Sequence, residues 1–160
     1  MKTLLLLLLI VLPQSSELAE IRSKYPLAAE SHESSRSFLE LTSTISDSDS
    51  KTLLAYKGAA LTLQAKYAKN ISDKKKNFSE GAALVEKAVR SEPSNIEIRM
   101  IRLSIQENTP KIVNYRKNIA EDKAFILENL ASKSGSIREY IGQYAQRSKS
   151  FTEADKALLR

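Results

Sequence analysis

Apolar and small residues recur at steps of three and four along most of this chain, and that period leaves little room for anything but helices. Leu54, Gly58, Leu61, Ala65 and Ala68 step by four, three, four and three, which places them on one face of a helix. Ile98, Ile101 and Ile105 form a second such stripe, and Tyr115, Ile119, Ile126 and Leu130 a third. Strand-like alternation is almost absent. Helices are expected over residues 17–24, 27–45, 52–69, 78–91, 94–106 and 114–131, with two short ones near residues 136 and 152. Pro26 either kinks the first of these or opens the next. Ser94 with Glu97, Ser136 with Glu139 and Thr152 with Asp155 carry the spacing of a capping box, in which two side chains satisfy each other's free backbone groups. Residues 46–50 read as a polar turn, and residues 70–77, with Lys74, Lys75 and Lys76, as a polar connection. Ala55, Ala59 and Ala60 allow a neighbouring helix to come close. The expected fold is all-α, built of antiparallel helix pairs, six or seven helices in all.

Composition removes most chemistry. The chain has no cysteine, one histidine and four glycines, so disulfides, thiolate zinc sites and thiol catalysis are excluded. His32-Glu33 lacks the second histidine of a zinc-protease motif, and phosphate-cradling loops need more glycine at fixed spacing. Glu121 and Asp122 are adjacent on a helix and are expected to point apart, which does not suit acid/base catalysis. No catalytic residue, metal ligand or cofactor is assigned. The chain reads as a nonenzyme.

The N-terminus carries an address. Met1-Lys2 supplies a positive start, and residues 4–12 are unbroken Leu, Ile and Val before Pro13. Nine residues span about 13 Å as a helix, short of a bilayer's ~30 Å. Residues 1–16 therefore read as a secretory signal peptide, leaving residues 17–160 as one exported domain, periplasmic or secreted. Charge divides unevenly: residues 1–65 carry six Lys/Arg against seven Asp/Glu, and residues 66–160 carry nineteen against twelve. A basic second half attracts acidic partners, yet export and the lack of aromatics among the basic residues argue against nucleic acid. Membrane-surface contact through Lys74, Lys75, Lys76 and the basic half is weak on sequence grounds, because no apolar anchor adjoins the lysines. Asn70-Ile71-Ser72 and Asn77-Phe78-Ser79 match the glycosylation acceptor pattern in the expected connection.

Phe78, Gly81, Val85, Ala88 and Pro93 stand at steps of three, four, three and five. This pattern, with "EKAVRSEPSN" at residues 86–95, resembles the second helix of a tetratricopeptide repeat, and Gly58 suits the small position of the preceding helix. The resemblance covers residues 52–106 and implies a degenerate α-α superhelix with Gly58 and Ala88 at the helix crossing. The connection at residues 70–77 makes the pair longer than the standard unit of about 34 residues. The segments "AYKGAA", "EIRMIRLSIQENTP" and "NIAEDKAFI" together resemble a family of small exported bacterial proteins described as tetratricopeptide-like. That resemblance implies compartment and fold and brings no activity. It stops near residue 130, leaving residues 131–160 as a possible C-terminal capping pair.

Arg99, Arg102 and Gln106 share a face at steps of three and four. Guanidinium groups offer planar paired donors to carboxylates, so this face is either an anion or carboxylate-tail site or a set of ion pairs with Glu97, Glu121 or Asp122. Lys57 and Gln64, with Tyr56, line the same groove if the helices pair antiparallel. Tyr140 and Tyr144 read as packing residues first and partner contacts second. The leading expectation is a noncatalytic module that binds a protein or peptide in the cell envelope. The rival is an exported small-ligand binder or enzyme using the arginine face.

Overall fold

A computed structural model describes residues 14–159. It is all-α: eight α-helices joined by short turns, with no strand among the described residues. The helices are α1 (Gln14–Lys24), α2 (His32–Thr42), α3 (Lys51–Tyr67), α4 (Ile71–Ser91), α5 (Ile96–Asn108), α6 (Ile119–Asn129), α7 (Gly135–Arg147) and α8 (Glu153–Leu158). This exceeds the expected six or seven because Pro26 does not merely kink a helix. It sits in the first turn of a separate 3-10 segment, Tyr25–Leu27, so α1 and α2 become distinct elements. The expected signal segment, residues 1–16, lies outside the described residues up to residue 13.

Side-chain caps set most of the starts. Ser31, Ser50 and Asn70 each accept a backbone N–H in the first turn of α2, α3 and α4, and Thr152 with Asp155 forms the expected capping box on α8. Several boundaries differ from expectation. Asn70 caps α4, so residues 71–77 are helix and not a connection, and α3 and α4 are joined by residues 68–70 alone. Both glycosylation patterns consequently lie at or inside a helix. Asn95, not Ser94, caps α5 by accepting from Glu97 N and Ile98 N; the Glu97 carboxylate is engaged elsewhere. Ser134 rather than Ser136 precedes α7, without a side-chain bond. The helix expected from residue 114 begins only at Ile119, because Asn114 adopts the left-handed conformation at φ 56° after a 3-10 turn at Lys111–Val113. Tyr115 therefore sits on a loop, where its ring meets Phe78 edge-on at 5.5 Å.

The most extensive packing is between α3 and α4. A β-carbon added at Gly58 would lie 2.6 Å from the Gly81 carbonyl oxygen and 2.7 Å from Val85 Cγ2, and one added at Gly81 would strike the Gly58 carbonyl. The two backbones thus touch through reciprocal glycines. Gly58 meets Gly81 and Val85 where the sequence pointed to Ala88, which is buried in the same core. Ala55, Ala59 and Ala60 are fully buried beside the crossing. Helix α2 packs on α3, and α5 lies against α3, α4, α6 and α7, consistent with a helical-repeat arrangement.

At the C-terminal end, Lys123 of α6 meets Asp155 of α8 at 2.5 Å. The Lys123 bond, joined by bonds from Thr152, holds the Asp155 carboxyl at about 2, below its ordinary 3.8. Because the folded value is depressed, the stabilisation is present above about pH 4 and is lost as pH falls toward about 2. A carbon-detected NMR titration should find the Asp155 midpoint near 2, and Lys123→Met should move it upward. An ordinary midpoint in the unmodified protein would show that the contact does not form.

Candidate functional site

Helix α5 organises the interior. Ten of its thirteen residues are buried, because Ile96, Ile98, Met100, Ile101, Leu103 and Ile105 leave it no wet face. Glu97, Arg102, Gln106 and Glu107 are consequently buried too, and an unpartnered polar group there costs about 2–7 kcal/mol. Each finds partners on the elements packed around α5. Glu97 accepts from Arg22 of α1, from Nε at 2.7 Å and Nη2 at 2.6 Å, and from the Tyr56 hydroxyl of α3 at 2.7 Å. Tyr56 also lies 3.1 Å from the Tyr140 hydroxyl of α7.

One turn on, Arg102 donates from Nε and Nη2 to both oxygens of Asp122 of α6, each at 2.7 Å, and from Nη1 to Glu86 of α4 at 3.2 Å. Gln106 accepts from the Asn118 backbone N–H at 3.1 Å. Glu107 accepts from Tyr144 of α7 at 2.9 Å and from the Ser148 and Ser150 hydroxyls at 2.6 and 2.7 Å. No buried side-chain nitrogen or oxygen among the described residues lacks a partner.

Protonation follows the same geometry. Burial opposes the charge on Arg102, but its bonds to Asp122 and the nearby Glu86 and Glu121 carboxylates raise its pKa above the ordinary value. Burial, then the adjacent carboxylate, pushes Tyr56, Tyr115 and Tyr144 upward, and burial pushes Tyr140 up to about 12. All four phenols stay protonated at neutral pH. Tyr56, Tyr115 and Tyr144 donate to Glu97, Glu86 and Glu107.

The residues singled out from sequence fall in three places. Arg99 and Arg102 converge on Asp122, with Arg99 also bonded to Glu121 and to the Pro93 carbonyl, and stacked 5.1 Å over Phe125. Glu121 and Asp122, expected to diverge, both face Arg99. Gln106 stands a turn beyond, against Asn118. Lys57 donates to the carbonyls of Ser43 and Ile45, and Gln64 to the Ser35 carbonyl and hydroxyl. Lys57 and Gln64 therefore tie α3 to α2 and the turn after it, and do not join the arginines in one groove. Sequence reasoning passed over Glu86, Glu107 and Arg22. A usable signal was the all-round apolar pattern of α5, which obliges any charge on that helix to be buried and paired.

An open groove of about 720 Å³ lies where several helix ends meet. Leu18 and Arg22 of α1, Thr52 of α3, the turn at residues 92–95, and Lys133 and Ile137 beside and on α7 line it. It mixes apolar walls with both signs of charge. No group of three or more His, Asp or Glu side chains able to hold a metal occurs among the described residues. No family model, curated protein or solved structure matches the chain.

Proposed function

We propose that this chain is a noncatalytic, exported helical-repeat protein, tetratricopeptide-like in its α3–α4 pair, that binds a protein or peptide in the cell envelope. The observation that carries the reading is the open groove at the α1, α3, α5 and α7 ends. An extended peptide fits such a surface: Leu18, Ile96 and Ile137 offer apolar contact, while Lys133 and Glu92 offer charge of both signs. Arg99, Arg102 and Gln106 already bond Asp122, Glu121, Glu86 and Asn118, so a ligand there would have to displace buried ion pairs. Export rests on the charged start and the apolar run at residues 4–12. No described helix is long and apolar enough to cross a membrane.

Site-specific photocrosslinking in the native host tests the proposal. A photoreactive residue in place of Ser94, exposed on the groove, should give one discrete protein adduct. The same residue in place of Arg36, exposed on α2, should not. No adduct at Ser94, or one pattern at both positions, would contradict the groove as the binding surface.

A further inference from the structure

Four of the five most exposed large apolar residues among the described ones gather at one end of the array. Ile71 is 72% exposed, Ile112 94%, Val113 40% and Leu27 51%; the fifth, Leu158, is on α8. Three connections bring the four together. The Ala29 carbonyl accepts from Lys66 Nζ at 3.0 Å and from the Tyr67 hydroxyl at 3.1 Å, which ties the chain just after Leu27 to the C-terminal end of α3. Residues 68–70 set the start of α4, with Ile71, beside that end. Helix α5 runs back along α4 from the turn at residues 92–95, as the Arg102–Glu86 bond records, so the Lys111–Val113 turn after α5 returns toward the start of α4. The Tyr115 ring on Phe78 secures it there.

Ile71 and Phe78 lie two turns apart on one face of α4, in line with the buried Val85. Ile71 is therefore the continuation of an apolar seam past the point where neighbouring helices stop. The same end is basic. Lys69, Lys74, Lys75, Lys76, Lys111 and Lys117 are exposed. Among the described residues the lysines in ion pairs are Lys87, Lys123 and Lys156, so these six are unpaired. The acids nearby are Glu30, Glu33, Asp73 and Glu80, fewer than the lysines, and Asp73 already accepts from Asn70. The sequence offered lysines without anchors; folding supplies the anchors.

We infer that this end of the molecule docks on an anionic lipid bilayer, with Ile112, Val113 and Ile71 entering the headgroup boundary and the lysines lying on the phosphates. Isolated exposed apolar residues are ordinary. Several on projecting turns, ringed by unpaired lysines, match a surface that is apolar inside and negatively charged outside. The inference stands apart from the groove, which lies at the other end of α4, about 30 Å away for a 21-residue helix.

The absence of cysteine allows a clean test on the full chain. An environment-sensitive dye is attached at Val113→Cys or, as control, at Ser94→Cys, so that any membrane contact by residues 4–12 is common to both. Vesicles are phosphatidylcholine alone or mixed with phosphatidylglycerol. With the mixed vesicles the Val113 dye should shift to the blue and be quenched by a lipid-borne quencher, and the Ser94 dye should do neither. Added salt should weaken the response. Lys74→Ser, Lys75→Ser and Lys76→Ser together should lower the apparent affinity at Val113 by about 100-fold. All these positions are exposed, and a melting curve confirms the fold of each variant. A Val113 dye that stays aqueous, or two dyes that respond alike, would overturn the inference. So would retention on polyglutamate resin that depends on the lysines while vesicles give no response, which would mark an acidic protein as the partner.

Discussion

Gly58→Ala is expected to destabilise the protein by about 2–3 kcal/mol, against the usual sign for that substitution. In an ordinary helix interior, replacing glycine by alanine gains about 1 kcal/mol. Here the added methyl would sit 2.6 Å from a backbone oxygen of α4 and 2.7 Å from Val85. Neither neighbour is a flexible side-chain end, so α3 and α4 would have to separate. Gly81→Ala should cost at least as much, since its methyl would meet the Gly58 carbonyl and the Thr62 backbone N–H, the latter at 2.8 Å. The melting temperature should fall by roughly 5–15 °C. Ala88→Leu should also destabilise, by overpacking a fully buried site, though without a backbone collision. A Gly58→Ala protein that melts at or above the parent would mean that the close crossing does not exist in solution.

How much of this was readable beforehand differs by element. The helices of strong period, α3, the second half of α4 and α5, were legible because small and apolar residues repeat at helical spacing. The start of α4 was not, because Lys74, Lys75 and Lys76 mask its single apolar marker, Ile71, and a solvated overhang has no stripe to read. The start of α6 was missed for a local reason. Tyr115 and Ile119 have helical spacing, but the left-handed backbone at Asn114 breaks the run before it begins. Gly58 was recognisable as a close-approach residue, yet its partner was set by how far α4 extends, which fixed Gly81 rather than Ala88 opposite it. The arginine face shows the same limit. Arg99 and Arg102 were visible as a pair on one face, and Glu121 and Asp122 were among the candidate acids. Glu97 was also on that list, and it went instead to Arg22 and Tyr56, a pairing 75 residues apart in sequence.

The largest single-residue effect should come from Arg102→Ala. Its guanidinium is 5% exposed and Asp122 is fully buried. Deleting the arginine leaves a buried carboxylate with only Arg99 for a partner, and breaking such a pair costs about 3–5 kcal/mol. Asp122→Leu alone should also destabilise, because it leaves the buried Arg102 with only the longer contacts to Glu86 and Glu121, at 3.2 and 3.5 Å. Replacing both, with Met at 102 and Leu at 122, should recover most of the loss, since well-packed apolar residues of like volume substitute for a buried pair at little net cost. Denaturant midpoints with unchanged slopes would confirm that the variants share one folded state.

The central claim is that the buried polar side chains of α5, Arg102 foremost, hold the surrounding helices in place. The double-mutant cycle between Arg102 and Asp122, measured by urea unfolding, tests it most directly. A coupling energy of about 2–3 kcal/mol is predicted, with the double variant more stable than either single one. Additive losses, with no coupling between the two positions, would contradict it.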